Sequence, residues 1–325
     1  METIEDGIYF GMPETPYHAT PHIGSSKMKL LYASPSDYWF ESHMNPMREP
    51  DKETFAQSFG HALHHRILYG EAAFKKDFLP TDEQTETGEV SAEGFKSWII
   101  ANGGTPGKTK DDNARIVSED YDVKLLGSKT YAKIAVSAQM ILKNPNLAQA
   151  FVGGWPEVSV FWHQDGVPCK ARFDYLKKRV IVDLKSFRSK ERISSLDRWV
   201  LQDLFNYRYD IQAAHYLNGH AAMKALVEAG KVFAAPGASR PTDEWLASAA
   251  AEPPNWVFVF FKADGMPVAK SYQIPYGSPA HQAGKFSVLT ALASYKDHLE
   301  KFGTDAWVNL DEPFQITEED VPKWL

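Results

Sequence analysis

Two aspartates and a lysine near the middle of the chain have the types and spacing for metal-assisted hydrolysis. They lie in Arg172-Phe-Asp174-Tyr-Leu-Lys-Lys-Arg-Val-Ile-Val-Asp183-Leu-Lys185. The pattern predicts a β-hairpin: a strand from Cys169 to Leu176, a turn at Lys177-Lys178-Arg179, and a return strand from Val180 into Asp183-Leu184-Lys185. Side chains alternate along a strand, so Asp183 and Lys185 share a face. Reversal at Lys178-Arg179 sets Asp174 opposite Asp183. Like charges in contact are costly unless a cation lies between them, and a divalent metal is the natural candidate. Mg²⁺ takes carboxylate, water and phosphate oxygens and lowers the pKa of bound water. A lysine beside it can orient or deprotonate that water and neutralise charge developing on a phosphate. The same three residues also suit the solvated face of an amphipathic hairpin, since short acidic motifs recur by chance.

Other residues can join them. Glu157 opens the preceding strand and offers a further carboxylate, or a simple edge charge. Gln212 and Tyr216 lie four apart on a predicted helix and so share a face. They can reach substrate or position Lys185, or else pack in the core and at the surface. The helical segment Thr54 to Leu68 carries His61, His64 and His65, any of which is a ligand or an ordinary core or capping histidine.

The elements that must position these residues follow from periodicity. Ser25 or Ser26 reads as the N-cap of a helix, and Ser34-Pro35 stops it and starts another. Thr54 to Leu68 has Phe55, Phe59, Ala62, Leu63 and Leu68 available for a buried face. Short and long helices are expected at Ser91 to Ile100 and Lys129 to Leu142, with a separate turn at Pro145 to Phe151. The period then switches to two. A strand at Glu157 to Trp162 and a turn at Gln164-Asp-Gly166 lead into the hairpin. A helix containing Tyr209 to Glu228, strands at Trp256 to Phe261 and Val268 to Ile274, and a helix from Pro279 to Phe302 complete the chain. The layout predicts an α/β fold with a mixed sheet. It forms one domain over 1–325, mainly helical to 155, with the hairpin and its helix over 156–230. A loop over 231–255 and the last strands and helix over 256–325 follow.

The 325 residues carry a formal charge of −7, which argues against general electrostatic coating of nucleic acid. Against that background, Lys170 to Arg198 holds ten basic and four acidic residues. Arg172, Arg188, Lys190 and Arg192 are its candidate DNA contacts. The lone cysteine, Cys169, excludes an intramolecular disulfide and a four-cysteine zinc or iron–sulfur site, which points to a reducing compartment. The acidic start Met1-Glu-Thr-Ile-Glu-Asp and the lack of a long apolar run predict a cytoplasmic protein with no membrane partner.

The ordered set Phe59-Gly60-x-Ala62-x-His64, Glu157, Arg172-x-Asp174, Asp183-x-Lys185 and Gln212-x-x-x-Tyr216 resembles the PD-(D/E)XK nuclease superfamily. Within it the chain is most similar to the exodeoxyribonuclease VIII (RecE-type) exonucleases, often phage- or prophage-encoded. The resemblance runs from Ser25-Ser26-Lys-Met-Lys-Leu and Ser34-Pro35 to Pro322-Lys-Trp324. It implies the restriction-endonuclease-like core, a central mixed sheet flanked by helices with a helical N-terminal part. It implies that His64, Asp174 and Asp183 bind metal with the Leu184 carbonyl assisting, that Lys185 is the catalytic lysine, and that Gln212 and Tyr216 support the site. His64 is selected over His61 and His65 by its spacing from Phe59-Gly60. The implied activity is Mg²⁺-dependent (Mn²⁺ substituting) degradation of duplex DNA from its ends, 5′ to 3′. Such enzymes act as homo-oligomeric rings and leave single strands for an annealing protein in recombination. The same core also serves restriction or repair endonucleases, and a non-catalytic DNA-binding phage protein can retain it. Relatives of the helicase-associated type hold an iron–sulfur cluster through a cysteine that precedes a proline. Ser34-Pro35 stands at that position here, so no cluster is expected. On this resemblance the chain is expected to correspond to the nuclease domain without the long N-terminal extension of some exonuclease VIII proteins.

Overall fold

The computed structural model describes residues 4–49, 54–187, 195–262, 268–308 and 317. Nine strands are described: β1 (Gly7–Phe10), β2 (Phe78–Thr81), β3 (Lys124–Gly127), β4 (Trp155–Gln164), β5 (Val167–Leu176), β6 (Val180–Phe187), β7 (Val232–Ala234), β8 (Asn255–Lys262) and β9 (Ala269–Ile274). Seven form one mixed sheet in the order β7-β1-β4-β5-β6-β8-β9, while β2 and β3 pair separately. The expected meander of β4, β5 and β6 is antiparallel and central. β6 then pairs in parallel with β8 along its whole length. Two tight turns set the register. Asp165 and Gly166 adopt φ +52° and +83° between β4 and β5, the left-handed pair that a two-residue hairpin loop requires. Lys177 N–H donates to the Val180 carbonyl (2.9 Å), placing the reversal at Lys178-Arg179 as expected.

Both faces of the sheet are covered. Strand β8 shows how: Trp256, Phe258 and Phe260 join one apolar cluster, and Val259 and Phe261 join the other. A strand buried on both faces reads as a continuous apolar run, which Trp256-Val-Phe-Val-Phe-Phe261 is. On the first face lie the helices Ser25–Ala33, Tyr209–Glu228 and Pro279–Phe302, contributing Met28, Leu31, Ile211, Ala214, Val288 and Leu292. On the second lie Phe55–Leu68 and Ser128–Lys143, contributing Phe59, Ala62, Leu63, Ile67, Ile134 and Ala138. A third small cluster, centred on Phe95 and Ile99, sits beside β3.

Several expectations need revision. Strands β1, β2, β3 and β7 are three or four residues long, too short for a period of two to register. The helices Gly70–Asp77, Lys110–Asp120 and Leu196–Asn206 also went unpredicted. Neither Ser25 nor Ser26 is an N-cap: the helix begins at Ser25 after Gly24 and has no side-chain cap. Ser34, by contrast, does cap the next helix through Asp37 N–H (3.2 Å). No helix among the described residues is long and apolar enough to cross a membrane.

The helix that carries Gln212 and Tyr216 is seated against Pro279–Phe302 by a very close approach. A Cβ on Gly284 would lie 2.1 Å from the Asp210 carbonyl oxygen. That contact is with main chain, which cannot swing aside. Gly284→Ala is expected to destabilise the protein by about 1–3 kcal/mol, seen as a lower urea midpoint. An unchanged midpoint would show that the two helices can separate freely.

Candidate active site

The site forms where two strand ladders break at one level. Between β4 and β5 the pairs Pro156↔Tyr175 and Val158↔Phe173 are made, and the intervening Glu157 and Asp174 are skipped. Glu157 sits at φ +51°, a left-handed conformation that costs a non-glycine residue of order 1 kcal/mol or more and is found at functional sites. Between β5 and β6 pairing stops at Tyr175↔Val182. Continuing the ladder would give the Leu184 amide to the Phe173 carbonyl. The amide donates instead to Asp174 Oδ2 (2.8 Å).

Into this gap reaches His64, from the helix on the second face of the sheet. Its Nε2 lies 2.8 Å from the Leu184 carbonyl; a carbonyl only accepts, so the ring proton is on Nε2. Nδ1 then turns a lone pair toward Asp174 Oδ2, 3.5 Å away. Burial holds the His64 pKa below its ordinary value against the opposing pull of Asp174, which keeps the imidazole neutral. One ligand atom from each of His64, Glu157 and Asp174 falls within 4.8 Å of the others. Two carboxyls and an imidazole lone pair thus converge, and at neutral pH their crowding is relieved either by a proton retained on Glu157 or by a cation. The set fits a divalent cation: carboxylate oxygens suit Mg²⁺ or Mn²⁺, and a single imidazole is tolerated by the latter.

Asp183 and Lys185 stand beside this cluster on the first face. Asp183 is buried; Gln212 Nε2 donates to its Oδ1 (2.7 Å). Lys185 Nζ lies 2.7 Å from Oδ2, a charge-assisted contact. Burial pushes the Asp183 carboxyl above its ordinary range; Lys185 opposes the rise and Asp174 adds to it. Burial alone would lower Lys185, but Asp183 and Asp174 outweigh it and hold the ammonium charged. Glu157 is likewise raised, by burial first and Asp174 second. Tyr216 packs edge-on against Phe173 and Trp256.

A family model described as "PDDEXK-like domain of unknown function (DUF3799)" matches residues 25–243. The chain belongs to this PDDEXK-like family. No curated protein matches. Among solved structures, the "Putative exonuclease" of Eubacterium rectale is similar over 89% of this chain and 88% of its own, at 16% identity and a TM-score of 0.43. The protein SSO0001 is similar over 75% and 88%, at 10% identity and a TM-score of 0.24. At these scores neither likeness bears on function.

On the PDDEXK-like scaffold the expected residues divide into groups. His64, Glu157 and Asp174 come together; His65 does not, because its Nε2 is 3.0 Å from Asp77 Oδ2. His61 lies on the rim of the same cleft. Asp183 stands outside the three-residue cluster and is engaged by Gln212 and Lys185. The Leu184 carbonyl, expected to face a metal, accepts from His64. Arg172 was expected at DNA. It donates from Nε to Ser159 Oγ (2.9 Å) and from Nη2 to the Met12 and Pro13 carbonyls (2.9 and 3.3 Å), pinning the N-terminal segment to the sheet. Lys170 is also buried and donates to Thr20 and the Tyr17 carbonyl. The basic run is therefore not one surface, and its members Arg188, Lys190 and Arg192 lie outside the described residues.

Lys29 escaped sequence reasoning. Its Nζ and that of Lys185 both lie over the Tyr209 ring, 4.5 and 5.6 Å from the centroid. Burial, then Lys185, brings its pKa down to about 7. Only its place in the Ser25-Ser26-Lys-Met-Lys-Leu helix start pointed to it.

The raised carboxyls set a pH dependence in the metal-free PDDEXK-like domain. Unfolded, Glu157 and Asp183 titrate near about 4; folded, they keep their protons to higher pH. The native state then binds more protons, so this contribution to stability is present at low pH and is lost as pH rises through the folded pKa values. The urea midpoint of metal-free protein is expected to fall between pH 5 and 8, and Glu157→Gln to flatten the fall. Added Mg²⁺ or Mn²⁺ should stabilise by about 2.7 kcal/mol at a hundredfold excess over Kd, and more at pH 8 than at pH 5. A metal-insensitive, pH-flat midpoint would contradict the assignment.

Proposed function

We propose that this protein is a metal-dependent deoxyribonuclease, an exonuclease that degrades duplex DNA from its ends with Mg²⁺ and accepts Mn²⁺ in its place. The observation that carries the reading is the convergence of His64, Glu157 and Asp174 within 4.8 Å, beside a lysine two residues from a buried aspartate, in a PDDEXK-like chain. A divalent ion held by the three side chains would polarise a phosphate oxygen and make bound water nucleophilic. The chain's own groups do the rest. Lys185, kept charged by its carboxylate neighbours, orients the attacking water and offsets negative charge gathering on the phosphate. Asp183 holds the lysine in place, and Gln212 holds Asp183. Asp174 fixes its own position through the Leu184 amide.

Entry from an end is supported by the shape of the cleft over the cluster. It is an open cleft of about 720 Å³, the size of a site for one small ligand. Glu14 and Lys124, which both line it, approach each other to 3.6 Å. Such a cleft suits a threaded strand better than an intact duplex. Polarity from 5′ to 3′, a ring of identical subunits and delivery of single strands to an annealing protein in the cytoplasm extend this reading by the RecE-type resemblance.

Digestion of end-labelled linear duplex with Mg²⁺ is expected to shorten the labelled strand, while covalently closed circles survive. Asp174→Asn or Lys185→Ala should slow digestion by roughly 10²- to 10⁴-fold. Cleavage of closed circles would favour an endonuclease, and full activity of both variants would remove the proposed site.

A further inference from the structure

The cleft displays an aromatic ring that the chemistry above does not use. Tyr69 is 46% exposed and lines the same cleft as His64, Glu157 and Asp174. It caps the helix that carries His64, its N–H donating to the His65 carbonyl (3.0 Å). Gly70 follows at φ +87°, a conformation that favours glycine, and the next helix starts there without a loop. Around Gly70 no atom from beyond its chain neighbours and its own helix backbone stands within 4 Å of where a Cβ would be. Tyr69 is therefore held at an open corner between two helices.

Behind the ring is a rigid support. The His65 ring lies against it at 5.0 Å, tilted by 38°. His65 is held by Asp77 and meets Phe78 edge-on at 5.2 Å, and Phe78 stacks on Phe74 at 5.1 Å. Phe74 and Phe78 are buried. A half-exposed ring with a packed support, lining the cleft where the nuclease reading puts a phosphodiester, matches a nucleobase. Base–aromatic stacking is how single strands are gripped without regard to sequence.

We propose that Tyr69 is a stacking platform for a base of the strand whose phosphodiester sits at His64, Glu157 and Asp174. The inference rests on the nuclease reading and deepens it. A base inside a duplex has both faces covered by its neighbours, so the platform selects an unpaired strand and Tyr69 is a specificity-determining residue. Its hydroxyl stays protonated, because burial and then Glu157 raise its pKa. The exposed part of the ring is thus neutral.

The test is binding of a fluorescein-labelled single-stranded oligonucleotide in EDTA, read by anisotropy, alongside KM and kcat with Mg²⁺. Tyr69→Ala and Tyr69→Leu are expected to weaken binding about 5- to 150-fold and to raise KM while kcat changes little. Tyr69→Phe and Tyr69→Trp should bind like the unaltered protein. An oligonucleotide series with one abasic position moved along it should contain a position that penalises the unaltered protein and not Tyr69→Ala. Tyr69→Leu keeps apolar bulk at the corner, so a loss it shares with Tyr69→Ala reports the π-face. Equal binding by all variants would overturn the platform while leaving the nuclease reading intact. Loss in Tyr69→Phe equal to that in Tyr69→Ala would also overturn it, in favour of the hydroxyl. An unaltered protein that neither binds nor cuts DNA would overturn both.

Discussion

The hydrogen bond from the Leu184 amide to the Asp174 carboxylate organises the centre of this molecule. Had that amide continued the ladder, β5 and β6 would stay paired and the space between them would be filled by backbone. Because a side chain accepts in place of a carbonyl, the strands part at that level. The opening admits the His64 ring, whose Nε2 takes up the Leu184 carbonyl. One residue's amide and carbonyl thus both serve side chains. On the other side of β5 the same level is skipped by β4, where Glu157 adopts its left-handed conformation. Two ladders give up regular pairing so that three Lewis bases can meet.

That arrangement is costly by itself, and the surrounding structure shows where the cost is met. Glu157, Asp174 and buried Asp183 crowd three carboxyls into a poorly solvated place, which is why Glu157 and Asp183 hold their protons above the ordinary range. The cations are distributed rather than central: Lys185 on Asp183, Arg172 at 3.9 Å from Glu157, Lys29 across the Tyr209 ring. None lies inside the His64, Glu157 and Asp174 triangle. The strands themselves are held by apolar layers on both faces, with Phe258 and Phe260 on one and Leu184 and Phe261 on the other. Strain and like-charge repulsion at a functional site persist only where such packing over-determines the backbone.

The sequence made some of this legible and hid the rest for physical reasons. The hairpin turn, the shared face of Asp183 and Lys185, and the helices over Tyr209–Glu228 and Pro279–Phe302 follow from period and turn chemistry, which are local. Family-level spacing singled out His64. The skipped pair at Glu157 could not be read, because nothing in Pro156-Glu-Val158 announces a left-handed residue inside a strand. The ligand-like grouping of Glu157 in place of Asp183 depends on that turn of the backbone. The basic run misled for a different reason. Counting charge says nothing of direction, and Lys170 and Arg172 point inward to carbonyls of the N-terminal segment. The short strand β1 and the edge strand β7 pair only with partners more than a hundred residues away, β1 with β4 and with β7.

A division of labour follows from which elements carry which residues. The groups with chemistry in prospect stand on the most constrained parts: three central strands and two helices packed on opposite faces of the sheet. Ion and water geometry tolerates errors of only a fraction of an ångström, and long elements buried on one side supply that rigidity. The cleft walls are built differently. Tyr69 stands at a helix corner, Glu14 on a six-residue helix, and Lys124 at the start of a four-residue strand. Changes at such places disturb few buried contacts, so the walls can be altered while the Asp174–Leu184 bond and its neighbours stay fixed. On the proposed function, selectivity set at those walls would vary independently of the centre at His64, Glu157 and Asp174.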